Sequence, residues 1–322
     1  MDGAGKKTTV CVTGAGGFIA SWLVQRLLSS GDYLVHGTVR DPSDPKNAHL
    51  MALDGAGERL RLLKADMLDH ATVAAAVAGC DGVFHVASPV PFTDPTDPDE
   101  VLAPAVTGTQ NVLRASRDAN VRRVVVVSSA AAVIVNPKIP KGAVVDEDCW
   151  SDEDHCRRTE KWYCLSKTVA EREALDYAKK TGLDVVTVCP PWVIGPLLQP
   201  TVNTTSLRLI KYLNGEIAEE KRRNMVDVRD VADALILVYE SPEASGRFIC
   251  SAHDMKVSQV VGAVKRLRPD LKLNYPDKFT VQVEDERLVS SKKLQALGWK
   301  FRTVEETLRD TVESYKAAGI VD

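Results

Sequence analysis

The stretch Thr8–Ala20 reads TTVCVTGAGGFIA. Its first five residues are apolar or β-branched and too few for a helix, and they run at once into a glycine-rich turn. Gly14, Gly17 and Ala20 keep a G-x-x-G-x-x-A spacing. Glycine allows a tight turn and close approach of backbone to a pyrophosphate, and a small residue at the third position lets the following helix pack on the strand. That helix would begin at the turn, offering free N–H groups and partial positive charge to phosphates. The segment ASWLVQRLLSSG, with apolar residues at intervals of three and four and Gly31 at its end, fits such a helix.

Outward from this unit the pattern repeats. YLVHGTV (33–39), LRLLKAD (60–66), GVFHVAS (82–88), RRVVVVSS (122–129) and LDVVTVCP (183–190) are short, near-continuous apolar runs separated by amphipathic stretches. Strands buried on both faces look like this, and β-α alternation sustained over so many units predicts an α/β fold with a doubly wound parallel sheet of the Rossmann type. Residues 1–190 are expected to form the dinucleotide-binding domain. After Pro190 the rhythm loosens, so 191–322 is expected to be mainly a smaller substrate-binding lobe, with segments such as GRFICSA (246–252) returning to the sheet. Three Pro- and Asp-rich loops, 41–47, 89–100 and 139–160, are long enough to suggest function.

With 322 residues, 44% of them hydrophobic, 26% charged and a net charge of −3, the chain has no bulk basic field for nucleic acid. No apolar run reaches the ~18 residues of a membrane span, and MDGAGKKTTV lacks a signal-type apolar stretch. A cytoplasmic enzyme with a small-molecule substrate, monomeric or weakly dimeric, is the expectation. The seven cysteines and six histidines show no zinc-type spacing, so no metal is expected. Cys11, Cys80, Cys189 and Cys250 sit in apolar surroundings as small core residues.

The second strand ends Thr38-Val39-Arg40-Asp41. An acid there would hold the ribose hydroxyls of NAD, whereas arginine pairs with a 2′-phosphate; with Lys46 in the same loop, NADPH is the expected cofactor. Asp66, ending the third strand, either contacts adenine or caps its own turn. Tyr163 is followed four residues later by Lys167, which a helix would place on the same face. An ammonium beside a phenol is expected to favour phenolate and bring the group toward acid–base chemistry. Ser128-Ser129 at a strand end supplies a hydroxyl.

Together, TGAGGFIA, TVRDPSDPKNAHL, HVASPV, RRVVVVSSAAAV, KWYCLSKTVAE and GRFICSA resemble the extended short-chain dehydrogenase/reductases, and within them the plant branch of cinnamoyl-CoA and dihydroflavonol reductases. The resemblance implies a catalytic triad of Ser129, Tyr163 and Lys167. It implies cofactor contacts at Gly14, Gly17, Phe18, Ile19, Arg40, Lys46, Asp66, Met67, Ala87, Ser88, Tyr163 and Lys167, with Pro190, Val193 and Ser206 flanking the nicotinamide.

KWYCLSK is similar to the cinnamoyl-CoA reductase signature NWYCYGK, with Lys161 in place of its asparagine. Where dihydroflavonol reductases carry an asparagine against the flavonoid ring, this chain has Ile134, which cannot make that hydrogen bond. Arg208 stands where the branch has a CoA-phosphate histidine, and Lys211 is retained. Asn224 and Met225 match acyl-pocket positions, although Met225 fits a core gap equally well. Cys149 and Cys156 match a cysteine pair that could bridge and brace the loop, a redox pair at the substrate mouth. The resemblance thus implies NADPH-dependent reduction of hydroxycinnamoyl-CoA thioesters to aldehydes in phenylpropanoid metabolism. Reduction of a free aldehyde or ketone by the same residues is the alternative, and an NADP-binding redox sensor is the non-enzymatic one.

Overall fold

The computed structural model describes residues 7–91, 95, 97–276, 278–281 and 287–322. The N-terminal MDGAGK and, within the loop 89–100, Phe92, Thr93, Asp94 and Thr96 lie outside the described residues. The central sheet has seven strands: β1 (Thr8–Val12), β2 (Tyr33–Val39), β3 (Leu60–Lys64), β4 (Gly82–His85), β5 (Arg123–Val127), β6 (Val185–Cys189) and β7 (Gly246–Ile249). They lie in the order β7-β6-β5-β4-β1-β2-β3, every neighbouring pair parallel. The order reverses between β1 and β4, and the crevice at the C-terminal ends of these two strands is where such sheets bind ligands.

Both faces of the sheet are covered, which is why its strands are apolar without alternation. Val10, Val12, Val125 and Val127 point into one core with Leu23 and Leu27 of α1 (Phe18–Ser30) and Val231 and Leu235 of the helix Val228–Glu240. Cys11, Val124 and Val126 point to the other face. There they meet Val73 of α2 (His70–Val77), Val112 of α3 (Leu102–Asp118) and Ala174 of α4 (Trp162–Thr181). Helix α1 ends on Gly31 at φ 83°, the left-handed conformation glycine adopts at a helix terminus.

GRFICSA is the edge strand β7, paired in parallel with β6. A second sheet joins Trp192–Ile194, Arg222–Asp227 and His253–Lys256. Its core contains Trp192, Met225 and Tyr212 with Val257, Val312 and Tyr315 of the C-terminal helices.

Candidate active site and cofactor cleft

The β1 turn is built to leave space. A Cβ on Gly14 would lie 3.1 Å from the Cβ of Ala87, and one on Gly16 would lie 2.5 Å from Oδ1 of Asn47. Helix α1 then starts on Gly17 with no side-chain cap and no acid in its first turn, so Phe18 and Ile19 open a helix whose N-terminal N–H groups favour an anion. The turn is held from below: the Gly14 N–H donates to Thr38 Oγ1 at 3.1 Å. Thr13 Oγ1 accepts from the N–H groups of Val86 and Ala87. This cradle fits a dinucleotide pyrophosphate.

Arg40 and Asp41 follow the end of β2. The Asp41 carboxylate is turned onto its own loop, accepting from Ser43 N at 2.9 Å and Ser43 Oγ at 2.7 Å. Arg40 is exposed at the strand end, and Lys46, paired with Asp44 at 2.6 Å, lies in the loop beyond. One oxygen of the carboxylate is thereby engaged within the loop, and an exposed arginine at this place suits a 2′-phosphate. Asp66 Oδ1 accepts from Leu68 N at 2.9 Å, so it does cap its own turn. The neighbouring Met67 carbonyl accepts from Asn111.

Across the cleft, Ser129 lies two residues past β5 and caps the turn that follows, its Oγ accepting from Ala131 N at 3.1 Å. Tyr163 and Lys167 lie one turn apart on α4, with Lys167 Nζ 6.0 Å from the phenol ring centroid. Lys167 is 6% exposed, and its Nζ donates to the Val127 carbonyl at 3.5 Å. Burial pushes its pKa down to about 8, with Cys189 and Glu171 acting in the opposite direction. Ala87 and Ser88 border a small pocket that also touches Lys167 and the interior residues His85 and Thr109.

The phenol corrects an expectation. Desolvation pushes the Tyr163 pKa up to about 12, and the effect pulling it down is a hydrogen bond with Ser129 rather than the lysine. The group is therefore held protonated, the state a proton donor requires.

Other expected residues are dispersed. Pro190 gives its carbonyl to Ala130 N at 2.9 Å, and Val193 is buried in the sheet core. Ser206, expected beside the nicotinamide, is fully buried and sits beside Tyr315 of the C-terminal helix, so it presents no surface to a cofactor. Met225, expected to line the acyl pocket, is fully buried, because its side chain turns into the second core with Tyr212 and Val257. Asn224, its neighbour, points the other way and has a buried Oδ1 without a partner among the described residues. Ile134 packs partly buried against the Val133, Val145 and Ile249 cluster together with Cys149. Lys161 is exposed at the start of α4, and Arg208 and Lys211 lie one turn apart on the helix Thr204–Leu213. Cys149 and Cys156 are separate thiols; Cys156 is fully buried, and Cys149 donates to Asp146.

A polar layer beneath the cleft escaped the sequence reading. His85 bridges Thr13 Oγ1 (3.0 Å) and Thr109 Oγ1 (3.2 Å), and burial, then Lys167, pushes its pKa down to about 3, keeping it neutral. Glu171 is buried behind Ser128, Thr187 and Arg247. The period-four spacing of Lys167 and Glu171 was visible, but not the partner 76 residues away.

The model of the NAD dependent epimerase/dehydratase family matches residues 10–250. Cinnamoyl-CoA reductase 1 of Petunia hybrida is 49% identical over 96% of this chain and 92% of its own length. Vestitone reductase from alfalfa superposes with a TM-score of 0.85 at 31% identity, covering 98% of this chain and all of the other. Yeast methylglyoxal/isovaleraldehyde reductase, complexed with NADPH, gives 0.84 at 28%, covering 97% of this chain and all of the other. The chain therefore belongs to the NAD-dependent epimerase/dehydratase family, the extended short-chain dehydrogenase/reductases, in the branch of the cinnamoyl-CoA reductases.

Proposed function

We propose that this protein is an NADPH-dependent reductase of hydroxycinnamoyl-CoA thioesters, releasing the hydroxycinnamaldehyde and the free thiol of CoA. The observation that carries the chemistry is the phenol of Tyr163 beside Ser129 and one turn from Lys167, at the C-terminal end of the parallel sheet, where the glycine turn also lies. The substrate class rests on the near-full-length similarity to a protein named for it.

The glycine turn and Arg40 would hold NADPH, which would supply the hydride when bound. As negative charge develops on the thioester oxygen, Ser129 donates a hydrogen bond to it and Tyr163 gives up its phenolic proton. The Lys167 ammonium stabilises the phenolate left behind. The product of this step is a hemithioacetal. Its hydroxyl proton returns to Tyr163 as the C–S bond breaks, and the departing thiolate takes a proton from solvent. Hydride and one proton are consumed, and aldehyde and thiol leave. Arg208 and Lys211 provide local cations for the phosphates of CoA on a chain whose net charge is −3.

The test is an incubation with NADPH and either feruloyl-CoA or coniferaldehyde, following cofactor oxidation and thiol release together. Thiol appearing mole for mole with NADP⁺ is the expected result. Turnover of the aldehyde alone, without thiol, would replace the thioester assignment with that of a free-carbonyl reductase.

A further inference from the structure

Glu171 lies one helical turn beyond Lys167 on α4, and its carboxylate is closed off from solvent by donors. Oε2 accepts from Ser128 Oγ at 2.7 Å, and Oε1 accepts from Thr187 Oγ1 at 2.6 Å and Cys189 Sγ at 3.3 Å. Arg247 of β7 adds Nε at 2.8 Å and Nη2 at 3.2 Å. Glu171 is 1% exposed and Arg247 6%. A buried ion pair is weak evidence for stability alone, since its desolvation offsets its attraction. What it touches is more informative.

Ser128 immediately precedes Ser129, so one carboxylate spans the strand end carrying the serine and the helix carrying the lysine. The remaining guanidinium nitrogen of Arg247 points away, donating to the carbonyls of Glu147 at 2.9 Å and Cys149 at 2.7 Å. Glu147 answers by accepting from the Ile249 N–H at 2.9 Å. Trp150 is sandwiched between Arg247, 3.5 Å from its ring centroid, and Arg172 of α4 at 4.3 Å. Ser151 then donates to the Ala131 carbonyl at 2.7 Å and accepts from Val135 N at 2.8 Å, next to the turn that follows Ser129. The loop 146–152 is thereby tied to the catalytic serine's turn, the catalytic helix and β7 through one polar layer.

We infer that Glu171 and Arg247 are positioning residues for the reduction: Glu171 sets Ser129 and Lys167 relative to each other, and Arg247 locks the loop 147–150 to that arrangement. Neither touches substrate. Rate and loop order are then coupled through a single ion pair. The inference rests on Ser129, Tyr163 and Lys167 being the reductive triad.

Glu171→Gln keeps the shape but removes the anion and places an N–H₂ among donors. A misplaced reacting group costs on the order of 10²-fold in rate, and kcat should fall by that much with NADPH Kd within about threefold of wild type. The alkaline limb of the rate profile should also move to lower pH. Lys167 faces His85 on β4, Ser128 just past β5, Cys189 on β6 and Tyr163 and Glu171 on α4, with Arg247 beyond, so losing Glu171 removes a carboxylate that favours its charged form. Arg247→Lys keeps the charge without the fork that reaches both carbonyls. It should raise the KM of the carbonyl substrate about tenfold, the scale of one bidentate hydrogen-bonded pair, while leaving the alkaline limb in place. Ser128→Ala, the mildest change, secures the test should Glu171→Gln fail to fold, and should lower kcat with NADPH Kd unchanged.

Variants that melt earlier yet keep wild-type kcat, KM and alkaline limb would show a purely structural ion pair and overturn the inference. Wild-type kcat in Ser128→Ala would overturn it as well. Tyr163→Phe run alongside separates the two levels: turnover retained there refutes the triad itself, whereas an inactive Tyr163→Phe with a normal Glu171→Gln refutes only the positioning role.

Discussion

Gly14→Ala should weaken NADPH binding and lower stability together, and the size of both effects follows from the turn. Gly14 has φ +65°, a conformation that costs an L-residue about 1–2 kcal/mol. The new methyl would stand 3.1 Å from Ala87 Cβ and 3.2 Å from Ala87 Cα. Ala87 has little freedom to retreat, because its N–H is held by Thr13 Oγ1 at 2.9 Å and Thr13 in turn by His85 at 3.0 Å. Forcing that approach adds about 1 kcal/mol, at the lower end of overpacking costs. The sum is ~2–3 kcal/mol, a melting temperature lower by roughly 3–4 °C for a chain of this size. Relief by shifting the turn moves the N–H groups that face the pyrophosphate, so NADPH Kd should rise at least about tenfold, equivalent to ~1.4 kcal/mol. Gly31→Ala is the control. It has φ +83° but nothing within 4 Å of the added methyl, so it should melt slightly earlier and bind NADPH normally. Thermal melts and NADPH fluorescence titration read both quantities. Wild-type affinity in Gly14→Ala, or equal weakening in Gly31→Ala, would refute the cradle.

Tyr163→Phe should abolish turnover, a loss of at least about 10²-fold, while keeping NADPH binding; a variant holding most of its rate would remove the proton-donor role. Lys167 is charged below its depressed pKa of about 8 and neutral above it, so kcat/KM should fall as pH rises through that value. In Lys167→Arg the side chain stays charged and this limb should vanish at a lower overall rate; a limb persisting near pH 8 would belong to another group. Arg40→Ala removes a charge-assisted hydrogen bond of about 1.5–3 kcal/mol and should raise the KM for NADPH roughly 10–100-fold with little change for NADH. Equal effects on the two cofactors would mean that Arg40 does not read the 2′-phosphate.

The six apolar runs read from the first 190 residues are the six strands β1–β6, because a strand covered on both faces must be apolar along its length whatever covers it. The glycine turn was legible for a similar reason: positive φ and close backbone approach are steric demands met locally. Residues needed for long-range reasons were harder to read. Ser206 and Met225 carry family-like identities at family-like positions, yet both side chains are buried in the second core, a matter of which way a helix face and a strand residue turn. The contact of Ser43 with one oxygen of Asp41 is likewise a matter of how the loop folds.

The Tyr163–Lys167 spacing was a property of the chain alone, since a helix brings residues four apart onto one face. So were the nucleotide turn and the alternation that stacks helices on both sides of a parallel sheet. Only the folded molecule decided how those residues behave. Tyr163 is held protonated because the surroundings desolvate it, and Lys167 is depressed because it is buried. Glu171 is positioned because Arg247 reaches it from a strand 76 residues away. Periodicity and steric turns are encoded within a few neighbours. Desolvation and charge pairing depend on what the chain brings back from a distance.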